Sequence, residues 1–409
     1  MNEIKSKIQK LAGRHSKAMI ALRRQLHQYP EIGLEEFQTQ KVIAARLKEA
    51  GCKVNTKVWK TAVVGLLEGK GRGKTVGIRS DMDALPVVEK TGYSFASKNP
   101  GRMHACGHDV HMAIVWGAAK ILSELKGELP GKIKFIYQPS EELSPGGAKF
   151  LIEKGVLKNP KVDLMLGLHA DYQVPVGKFG LLDGPMMAQA DDFKITIYGR
   201  SGHGARPHET IDSVVVASGL VIALQNIVAR QVNPMESVVV TIGSIHGGTA
   251  RNIIPESVEL TGTVRTLNPK TTKAIPKMIE RVISGVCKTH GAKYEFDFQV
   301  GYPVVVNDKS ANDLYRAAAS ELYGPDAVIE SDIVMGGEDF AYYGKLIPSA
   351  FMRFGISNPH IGADKPWHNS EFRVDERAIP LTAALLALAA WRGMEGKIEY
   401  RISKRNTHF

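Results

Sequence analysis

The chain reads as an α/β protein: a mixed, mostly parallel sheet covered by helices, with a ferredoxin-like α+β module inserted into it. Three observations predict this. Short apolar runs bounded by turn residues alternate with helical stretches near both ends of the chain, which implies a largely parallel sheet buried on both faces. Between about Pro185 and Val300 the order changes to β-α-β-β-α-β, that of a ferredoxin-like module. Residues able to bind metal or move protons follow directly after the apolar runs, where open α/β sheets bind their ligands. At 409 residues the chain is too long for one ordinary core. The expected domains are 1–184 and 301–409 for the outer domain and 185–300 for the insertion.

The elements follow in order. Residues 1–50 are helical by periodicity, with apolar positions such as Ile20, Leu22 and Leu26 recurring near helical spacing. Pro30 breaks that pattern, because proline disfavours helix in the residue before it. Strands are expected at 75–79, 132–137, 162–168 and 350–355, and a helix at 110–125 after an Asp109 cap. In the insertion, residues 193–197, 237–242, 258–267 and 294–300 read as strands. Residues 212–231 and 271–290 read as helices there, with Pro276 expected to end or kink the first turn of the second. No internal repeat or low-complexity tract is visible.

Composition narrows the function classes. The chain is 44% hydrophobic and 23% charged, within the globular norm, so wholesale disorder is not expected. Its net charge of +11 is spread among acids, with only short basic runs such as Lys404-Arg405 and no aromatic-studded basic stripe, which argues against nucleic-acid binding. Three cysteines, Cys52, Cys106 and Cys287, make a disulfide framework unexpected and suit a reducing compartment. The N-terminus lacks a signal-peptide core, and no uninterrupted apolar stretch reaches the roughly 20 residues of a membrane span. Residues 383–391 come closest and read as a core helix. A cytoplasmic protein without a membrane partner is the expectation.

Five residues read as ligands for a pair of divalent ions. Cys106 and His108 lie two apart in Met103-His104-Ala105-Cys106-Gly107-His108-Asp109, before a helix N-terminus that favours a thiolate. The paired carboxylates Glu141-Glu142, one of them a ligand, follow a strand, His169 ends another, and His368 sits in Pro366-Trp367-His368-Asn369. Thiolate, imidazole and carboxylate together suit zinc or a related ion, and manganese, cobalt and nickel are not excluded. The side chains of the neighbours Glu141 and Glu142 diverge from a strand end, so one can bind metal while the other is the candidate base for a bound water. Asp83 is a candidate to orient a ligating imidazole, and Asp81 is placed either for the same role or simply to cap the strand end. Taken alone, Cys106 and His108 read first as a buried cysteine beside a loop histidine, with a Cys–His nucleophile pair as a further reading. The second leaves the glutamates and the distant histidines without work. His104 and His111 flank the motif at helical spacing with surface or supporting roles. In the insertion, Gly-rich turns present His203 and, after Gly247-Gly248, Arg251-Asn252; the Gly336-Gly337 turn offers backbone N–H groups to a carboxylate. Each of these also reads as a plain turn.

The ordered motifs resemble the M20 metallopeptidase family, in its branch of hippurate hydrolases, aminoacylases and auxin-conjugate hydrolases. They run from Arg23-Arg24-Gln25-Leu26-His27-Gln28-Tyr29-Pro30-Glu31 through Asp81-Met82-Asp83-Ala84-Leu85-Pro86, Met103 to Asp109, and Glu141-Glu142. Ser201 to His208, Asn252 to Pro255, Gly336 to Phe340 and Trp367-His368-Asn369 complete the set. The resemblance implies a zinc-peptidase-like catalytic domain with an inserted lid that commonly mediates dimerisation, or a tetramer built the same way. It implies two metals on Cys106, His108, Glu142, His169 and His368, with Glu141 as general base. His203 and Asn252 match substrate contacts. Carboxypeptidase-like relatives begin with His-x-Asp where this chain has Asp81-Met82-Asp83, which disfavours that branch. The expected activity is hydrolysis of N-acyl amino acids. The alternatives are a dipeptidase or deacetylase of the same family, or a metal-binding scaffold without catalysis.

Overall fold

The computed structural model describes residues 2–396, so the Lys404-Arg405 run lies outside the described residues. The chain divides into two compact units. The first unit takes the sequence up to Met186, resumes over Val305–Asp332 and again from Asp339; the second comprises Met187–Val304 and Ile333–Glu338. The last of these segments was expected in the outer domain. It belongs to the second unit because Val334 bridges Met187 and its carbonyl accepts the Ala188 N–H at 3.1 Å.

In the first unit eight strands form one sheet: β1 (Lys53–Asn55), β2 (Val63–Glu68), β3 (Thr75–Asp81), β4 (Lys132–Gln138), β5 (Leu164–Pro175), β6 (Phe179–Leu181), β7 (Val328–Glu330) and β8 (Ser349–Ser357). Their order is β1-β2-β4-β3-β5-β8-β6-β7. The central four, β4, β3, β5 and β8, run parallel. The four expected strands are these central ones. β3, β4 and β8 are slightly longer than expected, whereas β5 starts two residues later and runs seven further, so His169 lies within it and does not end it. The four are legible because both faces are covered: residues 164–168 of β5 are all buried, which demands a near-continuous apolar run. β1, β2, β6 and β7 were not expected, being mostly too short to show a period.

Helix α1 (Asn2–Gln28) stops before Pro30, and α2 (Phe37–Glu49) follows. Helix α3 (His108–Glu124), α1 and the helix Ala378–Glu395 pack on one another. Ile8 and Met19, Ile114 and Ala118, and Leu385 and Ala389 share their core, so the apolar stretch around 383–391 is a core helix as expected. The Asp109 cap is a correction. Gly107 occupies the cap position and α3 starts at His108, because the Asp109 carboxylate is used elsewhere. It accepts Arg23 Nε at 2.7 Å and pairs with His27 Nδ1 at 2.8 Å, all three side chains being buried.

The second unit is a four-stranded antiparallel sheet. Its strands Gln189–Tyr198, Val238–Gly247, Ser257–Thr266 and Lys293–Tyr302 lie in the spatial order second, third, first, fourth. Helices Ser213–Asn226 and Pro269–His290 cover it, with Ile195, Leu220, Leu260 and Ile279 in the shared core. This is the ferredoxin-like arrangement. Asp212 caps the first helix by accepting the Val214 and Val215 N–H groups. The second starts at Pro269 and continues through Pro276, so that proline does not end it. Ser213–Gln231 is long and apolar enough, by length and composition, to cross a membrane, which the sequence reading did not single out. Here one of its faces, Val216, Leu220 and Leu224, lies in the core.

Candidate metal centre

The parallel register aligns the carboxyl ends of the central strands. Asp81 of β3 stands beside Gln138 of β4, and Asp83 and Glu141-Glu142 follow within a few residues. His169 sits on β5 beside Arg353 of β8. Cys106 and His108 are joined by Gly107 at φ +90°, and a Cβ there would lie 3.1 Å from the Ala170 Cβ. Both the left-handed backbone and the close approach call for glycine between them. His368 is itself at φ +64°, which is uncommon for a side chain of its size, and its N–H donates to the Ala105 carbonyl at 2.8 Å. That bond ties the late His368 loop to the Cys106 loop.

The structure brings all five predicted ligand residues together. Cys106 Sγ lies 3.4 Å from His169 Nε2. His108 Nε2 is 3.9 Å and His368 Nε2 3.4 Å from the same oxygen, Glu142 Oε1. Two overlapping sets, Cys106–His108–His169 and Cys106–Glu142–His368, each hold their donor atoms within 4.8 Å of one another, and Glu141 joins His108 and Glu142 in a third.

Hydrogen bonds settle which ring nitrogens are free. His108 Nδ1 faces the Asp83 backbone carbonyl and His169 Nδ1 that of Ala170, both at 2.8 Å. A carbonyl only accepts, so each Nδ1 carries a hydrogen when the ring is neutral, and each Nε2 lone pair points into the cluster. His108 Nε2 and Glu142 Oε1 are buried without any hydrogen-bond partner. Leaving such atoms unpaired costs free energy, and divalent cations among them would remove that cost.

Electrostatics agree. Burial, then Glu142, Glu141 and Asp81, push the Cys106 thiol well above its ordinary value. Burial opposes a charge on His108, yet Asp81, Asp83 and Glu142 outweigh it and raise its pKa to about 10. Burial, then His111, hold the His169 imidazole well below its ordinary value, so it offers a neutral lone pair. The carboxylates around Cys106 and His108 favour positive charge there, and this donor set fits divalent metal ions.

The supporting residues differ from expectation. Asp83 holds His108 chiefly through its carbonyl, with carboxylate Oδ1 3.5 Å from the same Nδ1, and its other carboxylate oxygen accepts the Glu142 N–H at 2.9 Å. Asp81 neither orients a ligand by direct hydrogen bond nor caps its strand: its oxygens are taken by His111 Nδ1 at 2.7 Å and Arg79 Nη1 at 2.8 Å. Arg79 also donates to Asp339 Oδ1 at 2.8 Å, and Gln138 reaches the same carboxylate at 2.7 Å. Sequence reading missed this buried chain, and gave His111 no definite role. The available signal was helical spacing, since His111 stands three residues after His108 on the same face.

In the second unit, Gly202–His203 pairs with Ile253–Ile254, with His203 opposite Ile253. The Gly204 N–H donates to the Asn252 carbonyl at 2.8 Å, so the ribbon brings His203 and Asn252 together. His203 Nδ1 accepts the Ala205 N–H at 3.0 Å, which puts the hydrogen of the neutral ring on Nε2 and leaves an exposed donor there. The Gly336 carbonyl accepts the Ala188 N–H at 3.1 Å, and a Cβ on Gly337 would lie 2.7 Å from the Ala190 Cβ. Close packing within this unit is thus one reason for glycine at 337.

Comparison with known proteins agrees with this geometry. The family model "Peptidase family M20/M25/M40" matches residues 77–392. The chain is 40% identical to the N-acetyl-L-cysteine deacetylase of Bacillus subtilis, covering 95% of this chain and 91% of that one. It is also 40% identical to thermostable carboxypeptidase 1 of Saccharolobus solfataricus, covering 91% and 94%. A solved Bacillus subtilis structure, described as a dinuclear metal binding peptidase of the M20 family, superposes with a TM-score of 0.81 at 34% identity, covering 94% of this chain and 99% of that one. With family model, relatives and fold in agreement, the chain belongs to peptidase family M20/M25/M40.

Proposed function

We propose that this protein hydrolyses the amide bond of N-acyl amino acids, releasing the free amino acid and the acyl group as its acid. That it is a metal-dependent hydrolase acting on amides follows from the family and its relatives. One observation carries the site reading: five donor residues converge, and two of their donor atoms are buried with no partner. Cys106, His108, Glu142, His169 and His368 would hold two divalent ions, zinc or manganese first, cobalt or nickel by the same donor chemistry. Such ions supply Lewis acidity toward the carbonyl and make a nearby water acidic at neutral pH.

The chain's own residues do the rest. Glu141, buried beside Glu142, takes the proton of the attacking water and returns it to the leaving amine. Asp83 fixes two participants at once, His108 through its carbonyl and the Glu142 backbone through its carboxylate. In the second unit, the exposed Nε2 of His203 supports a role as donor to the oxyanion. Asn252 and the Gly336-Gly337 turn are assigned to the substrate carboxylate on the sequence reading.

Assembly is proposed as a homodimer through the second unit. Val215 and Ile222 are exposed on the helix Ser213–Asn226, and the strand Val238–Gly247 is an edge of its sheet, the features of a surface awaiting a second copy. Light scattering on wild type and Ile222→Glu tests it: a wild-type monomer removes the dimer.

The activity test is release of free amino acid from N-acetyl and N-benzoyl amino acids by metal-reconstituted protein, with dipeptides and carboxypeptidase substrates alongside. Chelator-sensitive release from the acylated compounds is expected. Cleavage of peptides alone moves the reading to a peptidase, which the carboxypeptidase relative favours. Silence on every substrate with metal bound leaves a metal-binding protein without this catalysis.

A further inference from the structure

We propose that His111, which ligates nothing in the cluster described above, is a positioning residue that sets the geometry of His169 and His368 together. It sits on α3 one turn after His108 and is fully buried. The Ala170 N–H donates to His111 Nε2 at 2.8 Å, and a backbone N–H only donates, so Nε2 is an acceptor. The ring hydrogen is therefore on Nδ1, which donates to Asp81 Oδ1 at 2.7 Å. Arg79 holds the other oxygen of Asp81. The imidazole is thus fixed at both ends and can neither flip nor swing without breaking a buried hydrogen bond.

What it fixes is Ala170, and Ala170 is where two ligand-bearing segments meet. The Ala170 carbonyl faces His169 Nδ1 at 2.8 Å and accepts the indole N–H of Trp367 at 2.9 Å. Trp367 immediately precedes His368, and its ring stands edge-on to that of His169 with centroids 5.5 Å apart. The path Arg79–Asp81–His111–Ala170 thus ends on both His169 and the His368 loop. Loss of the Nε2 acceptor strands a buried backbone N–H and frees Ala170, so both imidazoles lose their shared reference point. Asp81 works here as the anchor of that path.

The inference rests on His169 and His368 being metal ligands. The experiment titrates cobalt(II) into metal-stripped wild type and into His111→Phe, His111→Gln and His111→Asn, following the visible spectrum and competition with a chromophoric chelator. Melting of each stripped variant controls for folding. Glutamine offers an acceptor near the place of Nε2, whereas asparagine offers only a donor near that of Nδ1. Phe and Asn should bind cobalt about 10–100-fold more weakly, the range typical of lost supporting hydrogen bonds, with an altered spectrum. Gln should restore much of the affinity. Native constants and spectrum in Phe or Asn overturn the proposal, and so does equal weakening in Gln and Asn. If Phe does not fold, the Gln–Asn pair alone decides. Wild type that binds no cobalt removes the metal reading itself, a failure distinct from an unchanged variant.

Discussion

Two regions carry the candidate chemistry, and they are built in opposite ways. In the first unit the cluster around Cys106 is buried, and nearly every group near it is held by another: His108 by Asp83, Glu142 by Asp83, Asp81 by Arg79 and His111. In the second unit His203 stands exposed on a two-residue ribbon, held through the Ala205 N–H and the backbone of Ile253. The first pattern is preorganised, so its groups pay little ordering cost when an ion arrives. The second presents an exposed donor to solvent, which on the proposed function exchanges water for substrate. Variants in the first region should therefore change metal binding or stability, and variants in the second should change turnover alone.

The largest effect tests an exception inside the first region. Glu141→Gln should bind metal like wild type and lose about 10²–10⁴-fold in kcat, the span of general acid–base catalysis; kinetics with metal analysis of the same sample checks it, and retained turnover removes Glu141 as base. Next comes a buried support. Arg23→Met strips the partner of Asp109 beside His108, and breaking such a buried pair costs about 3–5 kcal/mol. Denaturant unfolding should show that loss, while a change near zero would mean the first region is less interlocked than its hydrogen bonds suggest.

His203→Ala probes the second region. It should lower kcat by about 10²–10³-fold, as loss of an oxyanion donor does, with metal content and melting temperature unchanged. A fall in stability comparable to that of Arg23→Met would erase the contrast between the two regions.

The smallest effect concerns pH. Burial, opposed by the Thr61 hydroxyl, pushes the carboxyl of Glu36 up to about 7, and it also accepts the Ser140 N–H next to Glu141. Its folded pKa lies above the ordinary 4.5, so the folded state holds the proton more tightly than the unfolded one. Stability from this group is full below about 4.5, falls as pH rises toward 7 and then levels off, a span on the order of 3 kcal/mol. Glu36→Gln should flatten the stability–pH curve over that window; an unchanged slope would assign the pH dependence to other groups.

The sequence made the interior of the fold legible and hid its edges. Covered strands such as β5 announce themselves because burial on both faces forces an apolar run. Three-residue strands such as β1 and β6 are fixed by their neighbours and leave no local pattern. The ligand residues were legible by type, since few other roles bring thiol, imidazole and paired carboxylates to strand ends. Their supports were not. Asp109 looked like a cap because caps are local, whereas its partners Arg23 and His27 come from the first helix. His111 works through Asp81 and Ala170, contacts between separate elements that no window of neighbouring residues contains.

The strand order has a consequence for how the molecule is made. β8, from late in the chain, lies inside the sheet between β5 and β6, not at its margin. During synthesis β5 must wait with that edge open while the whole of the second unit emerges, and unpaired strand edges invite pairing with other chains. The second unit lacks only Ile333–Glu338 when its main stretch is complete, so it can fold while the first unit is still waiting. A ribosome stalled before residue 349 would hold a nascent chain with a finished insertion inside an unfinished sheet.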